Sequence, residues 1–190
     1  MKIAICVGHS RKINGRTEGG AISVDGTSEW EYNSGLADMI SDQLDTLGHQ
    51  VGIIDDYQGS GYTAAMEWVA DQVEEWDADC AIELHFNSAT PLGNGHEWLH
   101  WATSSRGKAL AAHVEAAVIE AVPELRQRGV KAKGKGDRGG AFLRVTHCPA
   151  LIAEPFFGSN EEDWQIAIEK KVAIAKAIAH GIDAWAESLD

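Results

Sequence analysis

The chain has 190 residues, a length that suits one domain, and it carries 29 acidic against 16 basic residues, a net charge of −13. Nucleic acids and anionic membrane surfaces are bound mainly through clustered positive charge, so this balance argues against both as partners. No run approaches the roughly 20 apolar residues of a membrane-spanning helix, and the N-terminus lacks the features of a signal peptide. We therefore expect one domain over residues 1–190, monomeric, not inserted in a membrane and synthesised in the cytoplasm.

Short apolar runs alternate along the chain with amphipathic segments. The strand-like runs are "KIAICV", "QVGIID", "CAIELHF", "GHEWLHW" and "PALIAEPFF". Apolar residues at helical spacing predict helices from Glu31 to Leu47, from a cap at Thr63, from Ser104 or Ser105, and from about Glu161 to the end of the chain. This alternation predicts an α/β fold: a single three-layer domain with a mainly parallel, twisted sheet of about six strands and helices on both faces. The glycine-rich segment 129–140 is predicted to be a long mobile loop.

Three polar residues come where predicted strands end. His9 follows the first strand, His85 nearly ends the third, and Glu154 nearly ends the last. In an open parallel sheet the functional groups collect at the carboxyl ends of the strands. A single histidine in such a position is more often a hydrogen-bonded structural residue than a ligand, so the grouping of the three carries the functional interpretation.

Two histidines and a carboxylate form a ligand set that zinc uses in hydrolases, with a further position open to water. Zinc lowers the pKa of that water toward about 7 and polarises a carbonyl oxygen, and both effects suit amide cleavage. Glu29 and Glu31 precede the first helical run and are the candidates for the carboxylate ligand. A separate carboxylate is needed as general base, and Glu154 is the natural one.

These motifs resemble, in the same order, those of the zinc-dependent N-acetylmuramoyl-L-alanine amidases of type 3, a family of bacterial cell-wall hydrolases and phage endolysins. The resemblance covers nearly the whole chain. The matching stretches are "IAICVGHS", "GTSEWEYNSGLADMISDQLDTLGHQV", "DADCAIELHFNSAT", "GHEWLHW" and "RGVKAKGKGDRGGAFLRVTHCPALIAEPFFGSNEED".

The resemblance implies a role for each of four residues. It makes His9, Glu29 and His85 the zinc ligands, because the ligand glutamate of the family lies four residues before an asparagine, here Asn33. Glu31 is the fallback for this ligand. It makes Glu154 the catalytic glutamate, which takes a proton from the attacking water and returns it to the leaving amine. The bond that is cut joins the lactyl group of N-acetylmuramic acid to L-alanine of the peptidoglycan stem peptide.

The expected protein is therefore a Zn²⁺-dependent peptidoglycan hydrolase with one catalytic domain and no separate wall-binding domain. A phage endolysin fits best: it is made in the cytoplasm without a signal peptide and acts on the bacterial wall after release. Two alternatives stay open. One is a zinc peptidase that cuts within the stem peptide, and the other is a catalytically inactive wall-binding module.

The chain departs from the family pattern at two positions. "HSRK" stands where the family has glycines after its first histidine, and Glu83 stands where the family has a small residue. Residues 83 and 85 share a face of their strand, so Glu83 either orients His85 as an outer carboxylate or pairs with a nearby basic residue.

Two further groups of residues are candidates for substrate contacts. The basic residues of segment 126–138 either grip the free carboxylates of stem peptides or belong to a solvated loop. Trp98 and Trp101, together with His96 and His100, come from the "GHEWLHW" run and are candidates for lining a cleft. The substrate-binding residues stay unassigned.

Overall fold

The computed structural model describes residues 1–13, 16–137 and 139–189. Its strands are β1 (Lys2–Val7), β2 (Ser10–Ile13), β3 (Arg16–Glu18), β4 (Gln50–Ile54), β5 (Cys80–Leu84), β6 (His96–Trp101), β7 (Gln127–Lys133) and β8 (Ala150–Glu154). Its helices are α1 (Glu29–Thr46), α2 (Tyr62–Glu75), α3 (Ser105–Ala121), α4 (Ala141–Val145), α5 (Glu161–Glu169) and α6 (Lys171–Glu187).

Six of the strands form one sheet in the order β4-β1-β5-β8-β6-β7. The first four strands of this order are parallel to one another, whereas β6 runs antiparallel to β8 and parallel to β7. The remaining two strands, β2 and β3, form a small antiparallel hairpin directly after β1. The prediction of a mainly parallel sheet of about six strands is confirmed.

Helices cover both faces of the sheet and enclose two hydrophobic cores. On one face alternate residues of β1 such as Ile3 and Ile5 belong to a core with buried residues of α1, α3 and α6. On the other face α2 and α4 pack against the residues between them, Ala4 and Cys6. This alternation follows from the two-residue period of a strand and gives the expected three layers. None of the helices in the described residues is both long and apolar enough to cross a membrane.

The C-terminal helical segment is two helices rather than the one that was predicted. α5 ends at Glu169 and α6 begins at Lys171. Helix α1 contacts α5 close to this break. The hydroxyl of Tyr32 donates a hydrogen bond to the carbonyl of Ala167, in the last turn of α5, where helix carbonyls have no partner within the helix. Trp164 and Trp185 are buried as expected.

Two other sequence predictions about the elements are wrong. Segment 129–140 is not one long loop, because residues up to Lys133 form the edge strand β7, which pairs with β6. Its basic side chains suit an edge strand, where charge discourages pairing with other chains. Helix α2 begins at Tyr62 after Gly61, with no side-chain cap, so Thr63 is not its cap.

Candidate active site

Three sequence-predicted residues lie at one edge of the sheet, on three neighbouring strands. His9 comes two residues after β1, His85 directly follows β5, and Glu154 is the last residue of β8. Because β1, β5 and β8 are adjacent and parallel, their carboxyl ends meet at the same edge. His9 has a φ of 66°, a left-handed conformation that is uncommon for a residue other than glycine and often occurs at functional sites.

Helix α1 brings a carboxylate to this edge through its first residue, Glu29. The hydroxyl of Ser28 caps the helix by accepting the N–H of Glu31. The carboxylate of Glu29 is buried, and it accepts the backbone N–H groups of Phe86 at 3.1 Å and Ala21 at 2.9 Å. Glu31 is exposed and does not join the group that Glu29 forms with the histidines.

His9, Glu29 and His85 converge on one point. One ligand atom from each residue lies within 4.8 Å of the others. Oε1 of Glu29 is 2.8 Å from Nδ1 of His85, and Oε2 of Glu29 is 3.3 Å from Nε2 of His9. Two imidazoles and a carboxylate are a donor set that suits a divalent metal ion such as zinc.

Two glycines allow this close packing. A Cβ atom on Gly8 would lie 2.3 to 2.6 Å from atoms of the His85 ring. A Cβ atom on Gly20 would lie 2.4 Å from Cδ2 of His9 and 2.7 Å from Oε2 of Glu29, and Gly20 also has a left-handed φ of +80°. Side chains at either position would displace the candidate ligands.

Each histidine also contacts a second carboxylate on the other side of its ring. Nδ1 of His9 is 2.9 Å from Oε1 of Glu18, and Nε2 of His85 is 3.3 Å from Oε2 of Glu83. Glu18 is not predicted from the sequence, because it lies in the β2–β3 hairpin, which has no periodic pattern. For Glu83, the ion pair found among the described side chains is with His85 rather than with a lysine or arginine.

The contacts between carboxylates and imidazoles raise the pKa of both histidines and lower that of Glu29. Burial alone would lower the pKa of His9, but hydrogen bonding to Glu29 outweighs it and raises the pKa. The pKa of His85 is raised well above its usual value, because the charges of Glu83 and Glu29 outweigh its burial. Burial would raise the pKa of Glu29, yet hydrogen bonds from both imidazoles hold it well below its ordinary range.

Glu154 is a carboxyl with an oxygen available for a partner. Its Oε2 atom is buried and has no hydrogen-bond partner in the structure. Burial is the main cause of a pKa raised to about 8, and the charge of His85 opposes the rise. The carboxylates of Glu29, Glu97 and Glu83 add to it.

The charges around the two histidines also suit a bound cation. Among the described side chains, no lysine or arginine forms an ion pair with Glu18, Glu29, Glu83 or Glu154. Buried carboxylates need a compensating positive charge or hydrogen bonds. The donor set and its excess of negative charge therefore fit a divalent metal ion.

Next to Glu154 lies another carboxylate, that of Glu97, which is opposite Glu154 in the antiparallel pairing of β6 with β8. Its Oε2 atom accepts hydrogen bonds from Nε of Arg128 and Nζ of Lys131, both at 2.6 Å. The Arg128 guanidinium also stacks 4.8 Å from the centre of the Phe157 ring. These two basic residues of segment 126–138 are thus bound within the fold, so the interpretation of a solvated loop does not hold for them.

The aromatic residues of β6 do not line the site as the sequence suggested. Trp98 is fully buried, and its indole N–H donates to Nδ1 of His96, which is also fully buried. His100 is buried, and Trp101 packs against the core formed with α2 and α4. The physical reason is that α3 and α4 both pack on β6, so that its residues belong to the two hydrophobic cores.

Comparisons with known proteins agree with this geometry. A family model described as N-acetylmuramoyl-L-alanine amidase matches residues 3–184. The solved catalytic domain of the CD27L endolysin targeting Clostridia difficile is 28% identical, with a TM-score of 0.81, and the match covers 96% of each chain. A search among curated proteins gives no match.

Two more distant structures share the fold. The amidase AmiC2 of Nostoc punctiforme is 22% identical with a TM-score of 0.82, over 98% of this chain and 97% of that one. The CwlD amidase from Clostridioides difficile is 19% identical with a TM-score of 0.84, over 100% of this chain and 99% of that one. With the family match over almost its full length, the chain belongs to the N-acetylmuramoyl-L-alanine amidase family and is an amidase of this class.

Proposed function

We propose that this amidase is zinc-dependent, with His9, Glu29 and His85 as the metal ligands and Glu154 as the catalytic base. The observation that carries the proposal is the convergence of these three ligand atoms within 4.8 Å of one another. The buried Oε2 atom of Glu154, which has no hydrogen-bond partner among the described residues, supports its role as base. The bond cut is the amide between the lactyl group of N-acetylmuramic acid and L-alanine of the stem peptide.

In the proposed reaction the side chains of the chain orient the reactants and move protons. Zinc held by His9, Glu29 and His85 would supply Lewis-acid polarisation of the scissile carbonyl and would favour the ionised forms of nearby carboxyls. Glu154 accepts a proton from the attacking water and later gives it to the leaving amine. Its location beside His85, at the end of the next strand, keeps this proton transfer close to the ligands.

We further propose that the chain is the catalytic domain of a lytic enzyme such as a phage endolysin. Support comes from the 28% identity to an endolysin catalytic domain over 96% of both chains. In this proposal residues 1–190 form one catalytic domain, act as a monomer, and reach the peptidoglycan after release from the cell that makes them. Light scattering in solution tests the monomer, and clearing of a suspension of whole bacteria tests lysis.

One experiment tests the reaction itself. Purified peptidoglycan is incubated with the zinc-loaded protein, with and without a chelator, and the soluble fragments are analysed by mass spectrometry and amino-terminal labelling. The proposal expects new L-alanine amino termini, glycan strands free of peptide and no new reducing ends, with all products lost on chelation and restored by added zinc.

The same fragments separate the alternatives. Amino termini within the stem peptide, with L-alanine still attached to the sugar, would favour a zinc peptidase. Binding to peptidoglycan without any product, in protein that carries zinc, would favour an inactive wall-binding module. Full activity in the presence of the chelator would contradict the dependence on zinc.

A further inference from the structure

Carboxylates and imidazoles alternate across the site. The order is Glu18, His9, Glu29, His85 and Glu83, and each histidine lies between two carboxylates. Glu29 faces one nitrogen of each ring, and the outer carboxylates face the other nitrogen. The two ring nitrogens of a histidine are distinct, and the partner of one decides which nitrogen is free to bind a metal.

Glu83 is the less expected of the two outer carboxylates. It lies on β5 two residues before His85, so both side chains project from the same side of the strand. Only 2% of Glu83 is exposed, and its ion pair among the described side chains is with His85. The resembling family has a small residue at this position. Burial of a carboxylate there is costly unless its contact with His85 offsets the cost.

The contact matches the form of the His85 ring that a metal ligand at Nδ1 requires. A neutral imidazole carries one N–H, and a carboxylate can only accept it. A metal ion held at Nδ1, on the side of Glu29, would leave this N–H on Nε2, which faces Oε2 of Glu83 at 3.3 Å. Glu83 faces Nε2 of the His85 ring, whereas His9, Glu29 and His85 form the group of candidate ligands.

We propose that Glu83 is a positioning residue that accepts the Nε2–H of His85, holds the ring with Nδ1 facing Glu29, and thereby strengthens binding of the divalent metal ion. This inference rests on the zinc site of the proposed function. In this proposal Glu83 supports the ligand His85 from a position where the family has a small residue.

The test measures zinc binding and ring protonation rather than activity. Metal-stripped wild-type protein and the variants Glu83→Ser, Glu83→Gln and His85→Ala are titrated with zinc against a chromophoric chelator. Glu74→Gln is the matched control, because Oε2 of Glu74 lies 3.5 Å from Nε2 of the exposed His147, far from the site in the fold. Nitrogen NMR of the His85 ring reports which nitrogen carries the proton in the zinc-loaded protein, and circular dichroism checks that each variant is folded.

The proposal expects zinc affinity to fall about 10–100-fold in Glu83→Ser. A smaller loss is expected in Glu83→Gln, because the amide oxygen still accepts the same proton, and none in Glu74→Gln. In the wild type the proton should be on Nε2 of His85. A folded Glu83→Ser variant with wild-type affinity would overturn the proposal, and so would a wild-type ring with its proton on Nδ1, whether or not the variants fold.

Failure of the positioning role can be told apart from failure of the zinc site. Zinc that binds the wild type and is lost in His85→Ala, but is unaffected by Glu83→Ser, overturns the role of Glu83 and leaves the zinc site standing. A wild-type protein that binds zinc no better than His85→Ala overturns the zinc site and this inference with it.

Discussion

The carboxylate of Glu29 joins helix α1 to strand β5 through a 2.8 Å hydrogen bond between its Oε1 atom and Nδ1 of His85. The same oxygen accepts the backbone N–H of Phe86, so two hydrogen bonds hold the Glu29 side chain in place. A carboxylate held in this way needs no large rearrangement to bind a metal ion, and this preorganisation favours tight binding.

Glu29→Gln tests this pair, since it keeps the shape of the side chain and removes its charge. We expect zinc affinity to fall by more than about 100-fold, a larger loss than that caused by removing an outer hydrogen-bond partner. Chelator competition on metal-stripped protein measures the loss. Glu31→Gln in the same helical turn is the control, because Glu31 is exposed, and it should bind zinc as the wild type does. Equal affinities of Glu29→Gln and the wild type would exclude Glu29 as a ligand.

Gly20→Ala should damage the site through a clash. Gly20 and Gly26 both have a left-handed φ, so an alanine at either position costs about 1 kcal/mol in stability. Only at Gly20 does the added methyl group meet His9 and Glu29, whereas at Gly26 nothing lies within 4 Å. Turnover of peptidoglycan should therefore fall about 100-fold in Gly20→Ala, because small displacements of reacting groups are costly, and stay close to wild type in Gly26→Ala. Similar rates for the two variants would contradict the close packing.

Asp163 joins the segment that follows Glu154 to the start of β6. Its Oδ2 atom accepts the N–H of Gly95 at 2.7 Å and the N–H of Phe157 at 2.9 Å, and the side chain is buried. Asp163→Ala leaves both donors without a partner, so the free energy of unfolding should fall by about 3 kcal/mol. Urea denaturation measures this value. The exposed neighbour Glu162 provides the control, and a Glu162→Ala variant that is destabilised as strongly as Asp163→Ala would refute the prediction.

His96 should make the protein less stable in mild acid. It is fully buried, and burial lowers its pKa to about 4, whereas a histidine in the unfolded chain titrates near pH 6.5. Between these values the unfolded chain binds a proton that the native protein does not, so stability falls as the pH falls. From pH 7 to pH 5 this contribution is about 2 kcal/mol.

His96→Asn removes the titrating group and keeps an acceptor for the indole of Trp98. The loss of unfolding free energy between pH 7 and pH 5 should be smaller in this variant by that amount, whereas His180→Asn, at an exposed histidine, should behave as the wild type. An identical pH dependence in all three proteins would show that His96 does not titrate in this way.

The strand-end rule explains why much of the site could be predicted from the sequence. His9, His85 and Glu154 each follow or end an apolar run, and parallel strands bring such positions together at one edge. Glu29 could be chosen over Glu31 only through the resemblance to the family, whose ligand glutamate lies four residues before an asparagine, here Asn33. These patterns lie in short stretches of sequence, so they can be recognised without knowledge of the tertiary structure.

The features that the sequence did not reveal depend on contacts between distant segments. Glu18 reaches His9 only because "HSRK" continues into the β2–β3 hairpin, which has no hydrophobic period of its own. Strand β7 lacks an apolar alternation because it is an edge strand, and its ladder depends on pairing with β6. By its sequence alone Trp98 is a candidate for a cleft, because nothing in its own run shows that helices pack on β6 and bury it.

The most direct test of the account is the zinc content and turnover of Glu154→Gln. We predict one zinc ion per chain, as in the wild type, together with release of L-alanine amino termini from purified peptidoglycan that is at least about 100-fold slower, because the proton acceptor is gone. Glu161→Gln, at an exposed position in α5, serves as the control with normal turnover. A zinc-loaded Glu154→Gln enzyme that releases these termini at the wild-type rate would contradict the assignment of Glu154 as the base.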